Sequence, residues 1–268
     1  MPVNNTFFIK KLEQFENCFA LISQLTHMPY VECDEESGND CVFLFSEEEK
    51  AKEAAAAYLD KKAVRVNVAK IPKANIKGFI SSLYGLGINM VVLEEDENVE
   101  MPLELLAPPP DKKTLQNTKI PTINPDVQLT TLYFLQEARR KIIRSDDEKK
   151  KLREMEEEMA VNLFRSLFIL AVDNTTEPET LPDGKKNYKL PMVKTQDGSS
   201  FVPVYTDMPE FQKMNARFRD MKFRLLPVPY QDLIRFVPAQ AKGVVINPAG
   251  FDLVLTKEAL QKLSEMYG

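Results

Sequence analysis

The sequence predicts an α/β fold made of two tandem copies of one unit, each a mixed sheet covered by helices. Short β-branched runs alternate with amphipathic helical segments along the 268 residues, a pattern typical of α/β proteins. In addition, Cys41–Phe45 and the acidic helix start after it recur in kind at Phe201–Tyr205, and such self-similarity indicates a structural repeat. We therefore expect one copy in residues 1–100, a connecting region in residues 101–144 and a second copy in residues 145–268.

The composition is that of a globular protein that works without nucleic acid or membrane. The formal net charge of -5 argues against a basic footprint for nucleic acid or anionic lipid. No apolar run approaches the length needed to span a bilayer, and the first residues lack the pattern of a signal peptide. Cys18, Cys33 and Cys41 form no C-x-x-C pair, which favours reduced thiols. The expected compartment is the cytoplasm.

The first half is predicted to contain helices and strands in alternation. Apolar residues recur every three or four positions between Thr6 and Leu25, which predicts an amphipathic helix. Ser46 and Glu49 have the spacing of a capping box before an alanine-rich helix that ends near Asp60. A further helix is expected from Pro72. Strands are expected at Tyr30–Cys33, Cys41–Phe45, Val64–Val68 and Ile88–Leu93.

The connecting region combines a proline-rich segment with an apolar helix. Met101–Pro125 contains six prolines, which favours an extended chain. A helix is predicted from Asp126 to about Arg144, and it carries more apolar residues than one face requires. It is either sandwiched between the two copies or used in self-association. The leucines of this candidate interaction helix are Leu129, Leu132 and Leu135.

The second half repeats the order of the first. Ser145 and Glu148 form a second capping box before a charged helix to about Phe164, and another helix is predicted over Met208–Met221. The repeat aligns Gly85–Asn89 with Gly243–Asn247 and Val91–Leu93 with Leu253–Leu255. In this alignment the first copy lacks the Pro-Ala-Gly turn of the second.

The segment from Gly243 to Leu255 has the clearest local pattern. Gly243–Ile246 is a short apolar run that suits a buried strand. Asn247, Pro248 and Gly250 then occupy the positions preferred in a type I turn, so these three residues and Gly243 are interpreted as structural. A strand resumes at Phe251, and Thr256 is placed to cap a helix to about Met266.

These segments resemble the SseB-like family, which is named for enhanced serine sensitivity in bacteria. The resemblance rests on Phe201–Asp207, on Val228-Pro229-Tyr230 and on Lys242–Gly250, and it is specific over Phe201–Leu260. It is weaker over Cys41–Leu93 and does not cover the connecting region. The resemblance implies an α/β domain in a bacterial cytoplasmic protein, and it supplies no catalytic residues.

No motif predicts a catalytic or cofactor site. His27 is the only histidine and is expected to lie at a helix end, and no nucleophile is indicated beside it. Cys18, His27, Cys33 and Cys41 could supply four zinc ligands, but their intervals are irregular. No metal and no cofactor are expected.

Two charged segments share features with known binding sites. The acidic run Glu94–Glu97 lacks the spacing of a calcium loop and is interpreted as solvated. In the helix from Met208, cations alternate with aromatic residues, as in a surface for single-stranded nucleic acid. Because the aromatic residues fall at helical spacing, we interpret them as core and the cations as an exposed face.

Three functions are compatible with these observations. The favoured one is a non-enzymatic protein-interaction or regulatory module, whose partner is another protein or a second copy of itself. The second is a small-ligand sensor with a pocket between the two copies, since ligands commonly bind at domain interfaces. The third is an enzyme that uses carboxylates.

Overall fold

The computed structural model describes residues 5–94, 98–110, 123–175, 179–180, 186–195, 197–216 and 221–267. The chain divides into two compact units. The first comprises Met1–Asp111 and Gln128–Glu156, and the second comprises Lys112–Val127 and Glu157–Gly268. Each unit contains a mixed six-stranded sheet with helices. The predicted α/β class in two similar units is confirmed.

The first unit begins with a helix and a strand where the sequence predicts one long helix. The prediction of a helix over residues 6–25 is wrong beyond Gln14, because Asn17–Ser23 pairs with strands on both sides. The elements up to the second unit are α1 Asn5–Gln14, β1 Asn17–Ser23, β2 Glu32–Cys33, β3 Asp40–Phe45, α2 Glu48–Lys62, β4 Val66–Pro72, α3 Lys73–Ser82, a 3-10 helix Leu83–Leu86, β5 Met90–Glu94, β6 Val99–Pro102, α4 Leu103–Leu106 and α5 Pro125–Ala138.

One helix contributes residues to both units. This helix, α6, spans Asp146–Arg165, and the division between the units falls after Glu156. The remaining elements are β7 Leu167–Asp173, β8 Glu179–Thr180, β9 Lys186–Asn187, β10 Val193–Lys194, β11 Ser200–Tyr205, α7 Met208–Asn215, β12 Phe223–Pro229, a 3-10 helix Tyr230–Phe236, β13 Gly243–Ile246, β14 Leu253–Thr256 and α8 Lys257–Tyr267. The helix predicted to reach Met221 ends at Asn215, and residues 217–220 lie outside the described residues.

The two sheets have the same strand order. It is β4-β1-β3-β5-β6 in the first unit and β12-β7-β11-β13-β14 in the second. The sixth strand of each sheet lies off this path: β2 pairs with β3, and β10 pairs with β11. In both, one central pair is parallel, β3 with β5 and β11 with β13, and the other neighbours are antiparallel. The strands at Cys41–Phe45 and Phe201–Tyr205 therefore occupy the same place in their units, as predicted.

The alignment predicted for the next strand is wrong. Leu44 pairs with Leu93 as Val204 pairs with Ile246, so Leu93 corresponds to Ile246 and not to Leu255. Asn89 precedes β5 and bonds Asp40 at the start of β3, whereas Asn247 follows β13. The two asparagines lie at opposite ends of their strands because loops of different length separate the same strands.

One of the two predicted capping boxes forms. At α6, the Glu148 N–H donates to Ser145 Oγ (3.3 Å) and the Ser145 N–H donates to a Glu148 carboxylate oxygen (2.7 Å). At α2, the N-cap residue is Glu47, and no side chain caps the helix. Starting the helix one residue after the position that Ser46 would cap removes the reciprocal geometry.

The predicted proline-rich connection contains part of the first sheet. β6 and α4 fall within Met101–Pro125, and Met101 and Leu103 are 0% and 1% exposed. The boundary predicted at residue 100 lies inside β6. Pro102 is compatible with this strand because β6 is at the sheet edge and needs no donor on its outer side. Residues 111–122 lie outside the described residues.

Each sheet packs a helix on one face to form a core. In the first unit, Phe19, Leu21 and Phe45 pack with residues of α2. In the second, Ile169 and Tyr205 pack with Phe211 and Met214 of α7. The interpretation of the Phe211 position as core is confirmed. Within the described ranges, every helix is too short or too polar to cross a membrane.

Candidate functional site

The turn after β13 is organised by Asn247. Its Oδ1 accepts a hydrogen bond from the Thr206 N–H (2.9 Å), and its Nδ2 donates to Thr206 Oγ1 (2.8 Å). Its main-chain oxygen accepts from the N–H groups of Gly250 (2.9 Å) and Asp252 (3.0 Å). Asn247 is fully buried with φ of 50°, a left-handed conformation that asparagine tolerates better than most residues. The side chain is fully engaged in holding the turn.

Gly243 and Gly250 are needed for close packing. A Cβ on Gly243 would lie 2.0 Å from the Leu255 main-chain oxygen on the neighbouring strand. A Cβ on Gly250 would lie 2.6 Å from Oε2 of the buried Glu210. Gly250 has no positive φ, so this close contact and not its backbone conformation accounts for the glycine. Pro248 stands between Asn247 and Gly250 and presents no polar side-chain group to a ligand.

A buried polar network continues from Asn247 to α7. The Thr206 hydroxyl donates to Asp207 Oδ2 (3.0 Å), and Asp207 Oδ1 accepts from the Glu210 N–H (3.0 Å) at the start of α7. These residues lie at the carboxyl ends of the parallel strands, where α/β proteins commonly bind ligands. Here the groups bond one another and the helix N-terminus. We interpret the network as a structural seal on this end of the sheet.

In the first unit, a tyrosine–carboxylate cluster forms around Glu32, which pairs with Cys41 at the start of β3. The hydroxyls of Tyr30 and Tyr58 donate to the two oxygens of Glu32 (3.1 and 2.8 Å), and Lys62 also bonds this carboxylate. Burial, with the Glu32 charge, raises the pKa of both tyrosines. Burial and Glu32 also raise the pKa of Glu94 at the end of β5. The tyrosines therefore stay protonated and act as hydrogen-bond donors.

The residues weighed for catalysis or zinc binding are not assembled. His27 is exposed, with φ of 57°, and it lies in a turn after β1 instead of at a helix end. Burial raises the pKa of the Cys18 and Cys41 thiols to about 11, so neither is a thiolate at neutral pH. In the described part of the chain, no group of three or more His, Cys, Asp or Glu side chains could hold a metal ion.

The apolar helix of the connecting region is α5, and two of its three leucines are buried. Leu132 and Leu135 are 0% and 4% exposed, and Leu129 is half-buried. Leu132 and Leu135 therefore cannot line an exposed interaction surface. Of the two alternatives that the sequence left open, burial favours an internal helix over a surface for self-association.

Polar side chains of α5, and Arg139 directly after it, bond main-chain and side-chain groups of the first unit. Gln136 Oε1 accepts from the Val31 N–H (3.1 Å), and Gln136 Nε2 donates to the Val31 oxygen (2.9 Å). Tyr133 donates to Asp40 Oδ1 (2.6 Å), and Arg139 donates to the Leu25 oxygen (2.6 Å). Sequence reasoning missed Gln136, although a glutamine among leucines on one helix face is the signal that could have identified it.

The first unit carries an apolar groove between α1, α3 and α4. Its volume is about 300 Å³. Leu12, Ile76 and Ile80 of its lining are buried. Leu106 of α4 also lines the groove, and its neighbour in sequence, Leu105, is 42% exposed. The lining residues are Ile9, Leu12, Glu13, Lys73, Ile76, Lys77, Ile80 and Leu106.

The second unit carries a larger, half-open cleft of about 680 Å³. Its apolar lining comes from β7, β12, the 3-10 helix Tyr230–Phe236 and the segment before β10. Lys189 and Arg235 lie in its wall, and the described lining residues include no carboxylate. The principal lining residues are Val172, Leu190, Met192, Leu226, Arg235 and Phe236. No sequence motif marked this cleft, because its residues come from four separated segments.

A protein-family model matches part of the chain. Residues 147–262, most of α6 and the second unit's sheet, match the family model described as SseB protein N-terminal domain. The first unit's sheet lies outside this match. No curated protein matches the sequence.

Two solved structures are similar to the chain at low identity. "Tic22 from Plasmodium falciparum" has 11% identity and a TM-score of 0.22, over 97% of this chain and 96% of that one. "Anabaena Tic22 (protein transport)" has 10% identity and a TM-score of 0.22, over 84% of this chain and 82% of that one. At these values neither structure transfers a function to this chain.

Proposed function

We propose that the protein is a non-enzymatic module that binds another protein, and that it acts in the cytoplasm. The groove between α1, α3 and α4 carries this proposal. Apolar side chains open to solvent in a concave groove are the usual docking site for the apolar face of an amphipathic segment.

The chemistry of the groove selects the class of segment. Its floor accepts one or two aliphatic side chains, since Leu12, Ile76 and Ile80 are buried beneath it. Lys73 and Lys77 stand on the α3 side, where they attract carboxylates. Lys73 is also within 3.2 Å of Glu16. Glu13 lies on the α1 side of the groove, so the charges around it are balanced, and the expected partner presents a short amphipathic helix whose apolar anchors enter the groove.

Several groups that could act in acid–base or nucleophilic catalysis have structural roles instead. Asp207 caps α7, and the Glu32 carboxylate is bonded by two tyrosines and Lys62. Cys18 and Cys41 are buried thiols with raised pKa values. Cys33 is an exposed reduced thiol, which suits a reducing compartment such as the cytoplasm.

The test compares two substitutions of exposed or half-exposed apolar residues. Ile9→Asp places a charge in the groove, whereas Leu59→Asp places one on α2, where Leu59 is 46% exposed outside the groove. Each variant and the wild type are used as bait in an extract of the source cells, and bound proteins are quantified by mass spectrometry. We expect a partner that Ile9→Asp loses and Leu59→Asp retains. Identical sets of bound proteins at unchanged melting temperature would contradict the proposal.

A further inference from the structure

The two units differ in what lies against equivalent positions of their sheets. β1 and β4 pair over seven residues from Asn17 to Ser23, and β7 and β12 pair over seven from Leu167 to Asp173, so Val172 corresponds to Ile22. Glu32 pairs with Cys41 as Val193 pairs with Phe201, so the preceding residues, Val31 and Met192, correspond as well. Val172 and Met192 both line the cleft of the second unit.

In the first unit this place is occupied by α5. The Gln136 amide takes both the N–H and the C=O of Val31, and Val31 is 1% exposed. Gln136 is itself 6% exposed, and Leu132 and Leu135 on the same helix are buried. The first unit thus holds a helix here through one amide that pairs with both main-chain groups of Val31.

In the second unit, the described residues leave a cleft of about 680 Å³ at the same place. Met192 is half-buried, and among the described residues its main-chain N–H and C=O have no hydrogen-bond partner. The connection from β12 to β13 is also shorter than that from β4 to β5, with one 3-10 helix in place of α3 and a 3-10 helix. Leu226 and Phe236 line the cleft.

We propose that the second-unit cleft binds an amphipathic helix of a partner protein, in the way that α5 is held by the first unit. The apolar face of that helix lies against Leu190, Leu226 and Phe236. A glutamine or asparagine in its middle pairs with the N–H and C=O of Met192. Lys189 is exposed and Arg235 pairs with Asp232 (2.8 Å), so recognition rests on the apolar face and the amide and not on the charge of the helix. This site is separate from the first-unit groove, and each stands or falls without the other.

The probe is a labelled peptide of residues 123–144, which carries the α5 sequence, added to the full-length protein. Fluorescence anisotropy measures its affinity, and hydrogen exchange locates it. We expect saturable binding with new protection at residues 188–192 and 235–240. A peptide with Gln136→Leu should bind at least about tenfold more weakly, because two hydrogen bonds are lost. A peptide with Glu137→Gln is the matched control and should bind like the parent.

Variants of the protein show whether the cleft itself holds the peptide. Leu190→Asp should abolish binding, whereas Val254→Asp, at an exposed position of β14 outside the cleft, should not. The proposal is overturned if the Gln136→Leu peptide binds equally well, if no peptide binds, or if protection appears only at residues 25–31, where the peptide would be exchanging with α5. It is also overturned if the cleft is already protected in the peptide-free protein, either because the protein dimerises in sedimentation or because another segment of the same chain covers the cleft. Competition for the cleft by small molecules alone would overturn it as well.

Discussion

At the scale of single residues, Asn247 combines an unusual backbone conformation with two buried side-chain hydrogen bonds. Glycine at this position keeps the positive φ but loses both bonds to Thr206. Asn247→Gly should therefore lower the free energy of unfolding by about 1–3 kcal/mol. Asn247→Ala should cost about 1 kcal/mol more, because alanine is strained at this φ. Urea unfolding of both variants separates the two contributions, and equal losses would contradict the conformational one.

The two turn glycines should differ in how much a methyl group costs. Gly243→Ala meets a main-chain oxygen at 2.0 Å, and the strand pair cannot move aside without losing its bonds. We expect a loss of about 3 kcal/mol or more. Gly250→Ala meets the end of the Glu210 side chain, which can shift, so about 1–2 kcal/mol is expected. Denaturation midpoints measure both. A larger loss at Gly250 would contradict this order.

Glu94 should make the protein less stable as the pH rises. Its pKa is raised by burial and by Glu32, so the folded state favours the protonated carboxyl. That stabilisation is complete below the ordinary glutamate pKa of about 4.3 and is lost as the pH rises through the raised value. Glu94→Gln should therefore have a higher melting temperature than the wild type at pH 7, with the difference vanishing in acid. The exposed Glu53→Gln serves as the control and should show no such gain.

Local geometry at residues was partly predictable. The turn at Asn247 could be read from residue types, since proline and glycine report backbone preferences directly. The reason for Gly250 could not, because Glu210 is forty residues away and contacts it only in the folded chain. The partners of Gln136 and Glu32 were unpredictable for the same reason.

At the scale of elements, the start of the chain shows where hydrophobic spacing fails. Phe15, Phe19 and Ile22 have helical spacing, but Cys18, Ala20 and Leu21 between them are also buried. A strand in the middle of a sheet buries both faces, so its sequence carries no clear period of two. The capping box predicted at Ser145 forms, whereas Ser46 and Glu49 have the same spacing and form none because α2 begins one residue later, so spacing alone does not fix a cap.

The amide of Gln136 should determine how firmly α5 is attached. Gln136→Leu keeps the size of the side chain but leaves both main-chain groups of the buried Val31 without their partner. We expect a loss of about 2–4 kcal/mol in the free energy of unfolding, together with faster amide exchange at Val31. Glu137→Gln, which weakens only an ion pair with Arg140, should cost less than about 1 kcal/mol. Similar losses in the two variants would show that the Gln136 hydrogen bonds contribute little.

At the scale of the whole molecule, the order of elements was predictable and their register was not. Strand, helix and strand follow one another in both halves, so the repeat could be detected at Phe45 and Tyr205. Between these strands and the next, the loops differ in length, and matching residue types aligned Asn89 with Asn247, at the wrong end of the second strand. Burial of α5 was beyond the sequence, since an apolar helix suits either an interior or an interface.

The division of the chain leads to a prediction about fragments. The first unit includes Gln128–Glu156 as well as Met1–Asp111, and Val31 and Asp40 take hydrogen bonds from α5. A fragment of residues 1–144 should therefore unfold cooperatively, whereas residues 1–111 should be much less stable and should regain stability when a peptide of residues 123–144 is added. Residues 145–268 contain the whole second sheet and the Ser145 cap, so they should fold alone. Thermal melting followed by circular dichroism measures all three. If residues 1–111 melt like residues 1–144, α5 is a bystander, and the inference that the same place in the second unit receives a helix loses its structural precedent.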